Sequence, residues 1–153
     1  MPKALSPQPP ALAAANTLMA FDYGGRRIGV AIGNAITRSA RALAVVGNGE
    51  HGPDWARLDA LLREWRPDAL LVGLPLGLDD AEQPNSRAAR GFAATLAQRY
   101  PLPVELVDER HSSQEAARRF AARRAGGTAR RKDASALDAV AAEIILERWF
   151  GHA

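Results

Sequence analysis

The chain has 153 residues, a formal net charge of +3, a pI near 9.9 and no cysteine. That length suits one domain around one core. The missing thiols exclude a disulfide framework and a thiolate metal site, and no apolar run approaches the ~18 residues needed to span a bilayer.

Residues 1–16, MPKALSPQPPALAAAN, lack a long leucine-rich stretch and are expected to be a flexible leader rather than a signal peptide. Residues 17–153 are then one domain. Residues 17–23 read as an apolar strand, 24–26 as a tight turn in which glycine supplies positive φ, and 27–33 (RIGVAIG) as a second strand. Residues 42–46 (ALAVV) read as a third strand, so the spacing predicts an antiparallel meander. Residues 47–53 are punctuation. In 54–66, Trp55, Leu58, Leu61, Leu62 and Trp65 form a helical stripe, and Asp54 stands where an acid supports a helix N-terminus.

Residues 68–73 (DALLVG) are a short continuous apolar run, the pattern of a strand covered on both faces. Residues 74–84 form a loop rich in Gly, Pro and acid. Residues 85–100 read as a helix with Ala88, Phe92 and Leu96 on one face, and 104–108 (VELVD) as another buried strand. An Arg-rich helix at 112–125, a basic loop at 126–132 and a closing helix at 133–150 complete the chain. This order predicts an α/β fold: a mixed five-stranded sheet, three antiparallel strands then two parallel ones, flanked by helices. Trp55, Trp65 and Trp149 fall on apolar stripes and are assigned to the core.

Three carboxylates stand where an acid is unexpected. Asp22 ends the first strand, Glu109 ends the last, and Asp138 shares its helical face with Ala141, Ala142 and Ile145. Each has an ordinary reading: Asp22 as a turn residue before two glycines, Glu109 or Asp108 as a partner of Arg110, Asp138 as a partner of Arg131 or Lys132. Together they admit a sharper one. If the first strand is central, its end can lie next to the end of a parallel neighbour, and a helix packed on the sheet can lay Asp138 over both. Buried charges are paired or bind metal. A carboxylate cluster without His or Cys suits Mg²⁺ or Mn²⁺, and two such ions can drive phosphodiester hydrolysis.

The blocks AFDYGGRRIGVAIG, VGLPLGLDDAEQPNSRAARGFA, VDERHSSQEA and LDAVAAEIILERWF, in this order between about Leu18 and Phe150, resemble the YqgF family, also called RuvX. Its members are bacterial proteins described as Holliday junction resolvases and implicated in 5′-end maturation of the small-subunit rRNA precursor. The resemblance implies an RNase H-like fold and Asp22, Glu109 and Asp138 as the catalytic, metal-holding triad. It also implies a cytoplasmic nuclease acting on structured RNA or branched DNA, with a pre-ribosomal particle as a candidate partner, as a monomer or homodimer. The chain departs from many relatives at Ala136, where a Lys is common, and at Gly77, where Asn is common.

The nucleic-acid contacts expected from the residues are few. Gly24 and Gly25 leave backbone N–H groups open to a phosphate. Of Arg26 and Arg27, only one is expected to face the site, because adjacent strand positions face opposite ways. Arg87 and Arg90 share a helical face beside the 74–84 loop, a candidate lid. Arg110 and the Arg130, Arg131, Lys132 run could hold a phosphate backbone; solvated surface is the alternative for all of these. His111 is more readily a structural or surface residue than a proton donor. Arginine carries nearly all the positive charge, since Lys3 and Lys132 are the only lysines. That suits bidentate phosphate contact, or reflects a compositional bias of the genome. Two competing functions are a nucleic-acid or ribosome-associated binding module without turnover, and a sugar-kinase or actin-like phosphate loop. The latter needs a second lobe for which 153 residues leave no room.

Overall fold

The structure is a computed structural model that describes residues 15–75, 84–109, 118–119, 121–122 and 137–151. The expected leader therefore lies almost wholly outside the described residues, as do most of the 112–125 helix and the 126–132 loop.

The strands are β1 (Thr17–Tyr23), β2 (Arg27–Asn34), β3 (Ser39–Gly49), β4 (Gly52–Pro53), β5 (Ala69–Leu74) and β6 (Val104–Asp108). The helices are α1 (Trp55–Trp65), α2 (Pro84–Arg99) and α3 (Leu137–Trp149). They form one six-stranded sheet in the order β4-β3-β2-β1-β5-β6. β1, β2 and β3 pair antiparallel, and β5 and β6 continue parallel to β1. The five expected strands are all present. The sixth, β4, is a two-residue pairing with the end of β3, inside the stretch expected to be punctuation. β3 is also longer than the 42–46 run. It extends through Arg41 and Asn48, polar positions that an apolar pattern does not register.

Period-2 alternation sorts the strands' side chains onto two faces. Met19, Phe21, Ile28, Val30, Ile32, Leu70 and Val72 meet Leu58, Leu61 and Leu62 of α1 and Ala89, Phe92 and Leu96 of α2. Phe21 meets Phe92 edge-on at 5.7 Å, and Tyr23 packs on the same ring at 4.7 Å. The two helices are tied together where Arg99 grips Asp59 through Nε at 3.1 Å and Nη2 at 2.8 Å while its guanidinium lies over Trp55. Asp54 caps α1, its side chain accepting from the Arg57 N–H. Trp55 and Trp65 are partly buried against this core, and Trp149 against the other one.

The opposite face is built of smaller residues. Leu18, Ala20, Ala31, Ala69 and Leu71 meet Ala142, Ile145 and Leu146 of α3, with Phe150 beyond its end. Gly29 and Gly33 alternate with Ala31 on this face of β2, and α3 uses the space they leave. A Cβ at Gly33 would press on the Leu146 methyls at 3.2 Å, and one at Gly29 would overlap the backbone carbonyl of Asp138. The start of α3 thus rests directly on β2 backbone.

Gly29→Ala is expected to destabilise the protein by about 1–3 kcal/mol, the range for overpacking, because backbone cannot rotate aside as a side chain can. Urea unfolding checks this: an unchanged midpoint would show that α3 does not sit this close.

Candidate active site

Asp22 lies near the end of β1, in register with Gly29 of β2. Ala20 and Leu18, two and four residues earlier, face α3, so Asp22 does too. β1 is an interior strand, flanked by β2 and β5. On its β5 side the pairing Phe21↔Val72 brings Asp22 level with Gly73.

Glu109 directly follows β6, its N–H donating to the Leu74 carbonyl at 3.2 Å. Among the described residues it is the buried charged one, 7% exposed. The sequence-based picture put the ends of neighbouring strands side by side. In the structure β5 stands between β1 and β6, a separation of two strand spacings, about 9.6 Å. The Asp22 and Glu109 carboxyls nonetheless lie close enough to act on each other. Gly73 of β5 permits this: a Cβ there would lie 2.7 Å from Glu109 Cδ and 2.5 Å from Ile145 Cδ1. Glu109 reaches Asp22 through the volume of the missing side chain.

Burial raises the Asp22 carboxyl above its ordinary value, aided by the charge of Asp138 and opposed by the hydrogen bond with Glu109. Glu109 is pushed further, to about 9, by burial first and then by the Asp22 charge and hydrogen bond. Both shifts run the same way, so the facing carboxyls together favour holding a proton. Arg148 of α3 partly offsets this as a nearby cation, and its Nη1 donates to the Asp108 carbonyl at 3.3 Å.

Asp138 occupies the first turn of α3. Its Oδ2 accepts from Arg27 Nε at 2.8 Å, with the two side chains 29% and 56% exposed. Asp138 is close enough to Asp22 for its charge to be felt there. Among the described residues, no three acidic or histidine side chains gather tightly enough to cage an ion as they stand. Asp22 and Glu109 face each other while Asp138 faces Arg27.

The hairpin turn that delivers Arg27 is clamped by one residue of β3. Asn48, 3% exposed, donates from Nδ2 to the Gly24 carbonyl at 2.6 Å and from its backbone N–H to the Arg26 carbonyl at 2.9 Å. The Gly24 N–H is itself spent on the Arg27 carbonyl at 3.0 Å, so of the two glycines expected to meet a phosphate, Gly25 is the open one, with nothing within 4 Å of its Cβ position. Positive φ is not the reason for glycine in this turn, since neither Gly24 nor Gly25 has it. The reason at Gly24 is close approach, its Cβ position lying 2.6 Å from the Arg27 carbonyl oxygen. Arg26 is exposed, and Arg27 is the one of the pair that reaches a carboxylate.

Arg87 and Arg90 are exposed on α2, which covers the other face of the sheet from α3. Arg119 is engaged by Glu147 of α3, Nη1 to Oε2 at 2.9 Å and Nη2 to Oε1 at 2.5 Å. Arg110, His111, Arg130, Arg131, Lys132 and the 76–83 part of the candidate lid lie outside the described residues. A cavity of about 570 Å³ opens at the opposite end of β1, lined by Thr17, Asn34, Arg41 and Trp65 among others, and none of the three carboxylates lines it.

A family model described as "RuvX: Holliday junction resolvase" matches residues 16–152. The chain belongs to the RuvX family. A relative from Xanthomonas axonopodis pv. citri (strain 306), named "Putative pre-16S rRNA nuclease", is 54% identical over 143 residues, covering 94% of this chain and 92% of its own. One of the same name from Xanthomonas campestris pv. campestris (strain B100) is 56% identical over 133 residues, covering 87% and 86%. Among solved structures, T. thermophilus RuvC in complex with a Holliday junction substrate aligns with a TM-score of 0.52 at 19% identity, over 90% of this chain and 98% of that one. That likeness establishes the RNase H-like fold of this RuvX chain.

Four residues that position the RuvX carboxylates were not singled out by sequence: Gly29, Gly73, Asn48 and Arg148. The first two carried a signal, since an isolated glycine inside an apolar strand marks a close approach. Asn48 between two glycines reads as turn, and nothing in one sequence ties Arg148 to Glu109.

The raised Glu109 carboxyl has a measurable sign. Folded protein keeps a proton that unfolded chain releases from about pH 4.5 upward, until about pH 9. Stability in chelating buffer should therefore fall as pH rises through that window. Glu109→Gln, which carries no titrating proton, should flatten the profile and melt higher than wild type at pH 8. A wild-type melting profile as flat as the variant's would remove the buried pair from consideration.

Proposed function

We propose that this chain is a divalent-metal-dependent endonuclease acting on structured nucleic acid, with Asp22, Glu109 and Asp138 as its catalytic residues. One observation carries the reading: the buried Glu109 carboxyl facing the half-buried Asp22 carboxyl at the end of a central strand, with a third acid above them on α3. Such a pair is unfavourable without a proton or a cation. Its donors are hard oxygens, the set that Mg²⁺ or Mn²⁺ takes. Asp22, Glu109 and Asp138 are the residues that would hold such ions. Bound ions would supply an activated water and stabilise the leaving oxygen, giving 5′-phosphate and 3′-hydroxyl ends.

The hairpin tip with Gly25 and Arg26, which follows the strand that bears Asp22, is a candidate to track a phosphate backbone. Arg87, Arg90, Arg110, Arg130, Arg131 and Lys132 are further candidates for such contacts, which position a backbone without reading its sequence. The precursor of the small-subunit rRNA is the favoured substrate. The relatives at 54–56% identity bear the name of a pre-16S rRNA nuclease, whereas the junction-bound RuvC shares 19%. A four-way DNA junction is the alternative that the family description supports.

Side-by-side cleavage of a precursor rRNA fragment and a four-way junction in Mg²⁺ decides between them. Asp22→Asn should lower the rate by more than about a hundredfold while leaving nucleic-acid binding intact. Cleavage unaffected by Asp22→Asn would sink the site assignment. Binding of either substrate without cleavage by wild type would instead mark a binding module.

A further inference from the structure

Among the described residues, Arg27 is the group seen on Asp138, and it comes from a different part of the chain, the β1–β2 hairpin. Three features make the contact more than ordinary surface pairing. Its acid is a member of the carboxylate triad, and the guanidinium holds Oδ2, an atom that a cation would need. The main chain on both sides is fixed: Asp138 rests on Gly29, and the turn before Arg27 is clamped by Asn48. Opening the contact therefore requires side-chain rotation only. Lastly, both side chains are partly exposed, at 56% and 29%, and exposed ion pairs are weak enough to yield to a competitor.

We propose that Arg27 is a built-in counter-ion that competes with divalent metal for Asp138, holding this carboxylate apart from the Asp22–Glu109 pair until an ion draws it in. The proposal rests on the metal-dependent reading above and adds a residue that sets its metal affinity. Arg27 is a positioning residue here, acting through Asp138. Once displaced, its guanidinium stays at the rim of the site, close enough to neutralise an incoming phosphodiester. Metal and substrate are thereby coupled through one side chain: the ion frees the cation that the substrate then meets.

Titration calorimetry with Mn²⁺ on the full chain, free of nucleic acid, tests this without reference to activity. Arg27→Gln should bind Mn²⁺ about two- to fivefold more tightly than wild type, the equivalent of one weak surface ion pair. Arg27→Lys, which keeps the charge, should stay near the wild-type value. In an Asp138→Asn background, Arg27→Gln should change affinity by clearly less than it does alone, because the contact is already lost. Thermal melts without metal verify that each variant is folded, as expected for a surface side chain. With substrate present, Arg27→Gln should raise KM while less Mn²⁺ is needed for half-maximal rate, a split that a purely structural defect would not give. Wild-type or weaker Mn²⁺ affinity in Arg27→Gln overturns the proposal, and so does an undiminished effect in the Asp138→Asn background. An Asp22→Asn control separates the two layers. Mn²⁺ binding that needs Asp22 but ignores Arg27 overturns the counter-ion alone, whereas binding that does not need Asp22 overturns the metal site and the counter-ion with it.

Discussion

Two acids that water would keep apart are held in contact by the sheet. Asp22 and Glu109 belong to strands that are not neighbours, and they meet because the strand between them presents a glycine at the level where they cross. The same economy of side chains operates on the other flank, where Gly29 lets the first turn of α3 settle onto β2. Asp22 is thus bracketed by two positions with no side chain, and into those spaces come Glu109 and the turn that bears Asp138. Any bulk at either position would restore an ordinary sheet face and disperse the acids.

This geometry links the packing of the molecule to its chemistry. α3 contributes Ala142, Ile145 and Leu146 to one core, and the same helix carries Asp138 at its start and Arg148 near its end. The helix cannot withdraw without uncovering apolar surface, so the acid is held in place by the hydrophobic effect rather than by polar contacts. The larger core on the opposite face includes Phe21 and Phe92 and covers the other side of β1, an interior strand. Stability and reactivity are then supplied by different sides of one strand, a division that follows from the two-residue period of β-structure.

Much of this was legible in the sequence, and the remainder has physical reasons for being hidden. The strands β1, β2, β5 and β6 and the helices α1 and α2 follow from apolar period and from caps such as Asp54, and their observed bounds differ from the expected ones by a residue or so, although β6, at the sheet edge, is only half-buried. β3 was read too short because it runs toward the sheet edge, where Arg41 and Asn48 interrupt the apolar run, and β4 is too brief to have a pattern. The triad could be proposed because carboxylates at strand ends and on an apolar helical face are conspicuous. Their mutual arrangement could not, since it depends on register: which strand lies between β1 and β6, and what side chain that strand lacks. Arg131 and Lys132, the nearby cations expected to partner Asp138, lie outside the described residues; among those described, Arg27, more than a hundred residues earlier in the chain, meets it. Sequence proximity favours local partners, and a sheet brings distant ones together.

The grip of Asn48 on the β1–β2 turn has a consequence for recognition. One buried amide and its own backbone N–H hold the carbonyls on either side of Gly25, so the tip is already ordered before anything docks on it. A loop that must freeze on binding gives up part of its interaction energy to lost conformational freedom. A clamped tip gives up little, and in return it tolerates little adjustment. In the proposed role it would fit a backbone that arrives with the right curvature and fit poorly against one that must be bent to match. Discrimination at this end of the molecule would then be a matter of the shape that the nucleic acid brings with it.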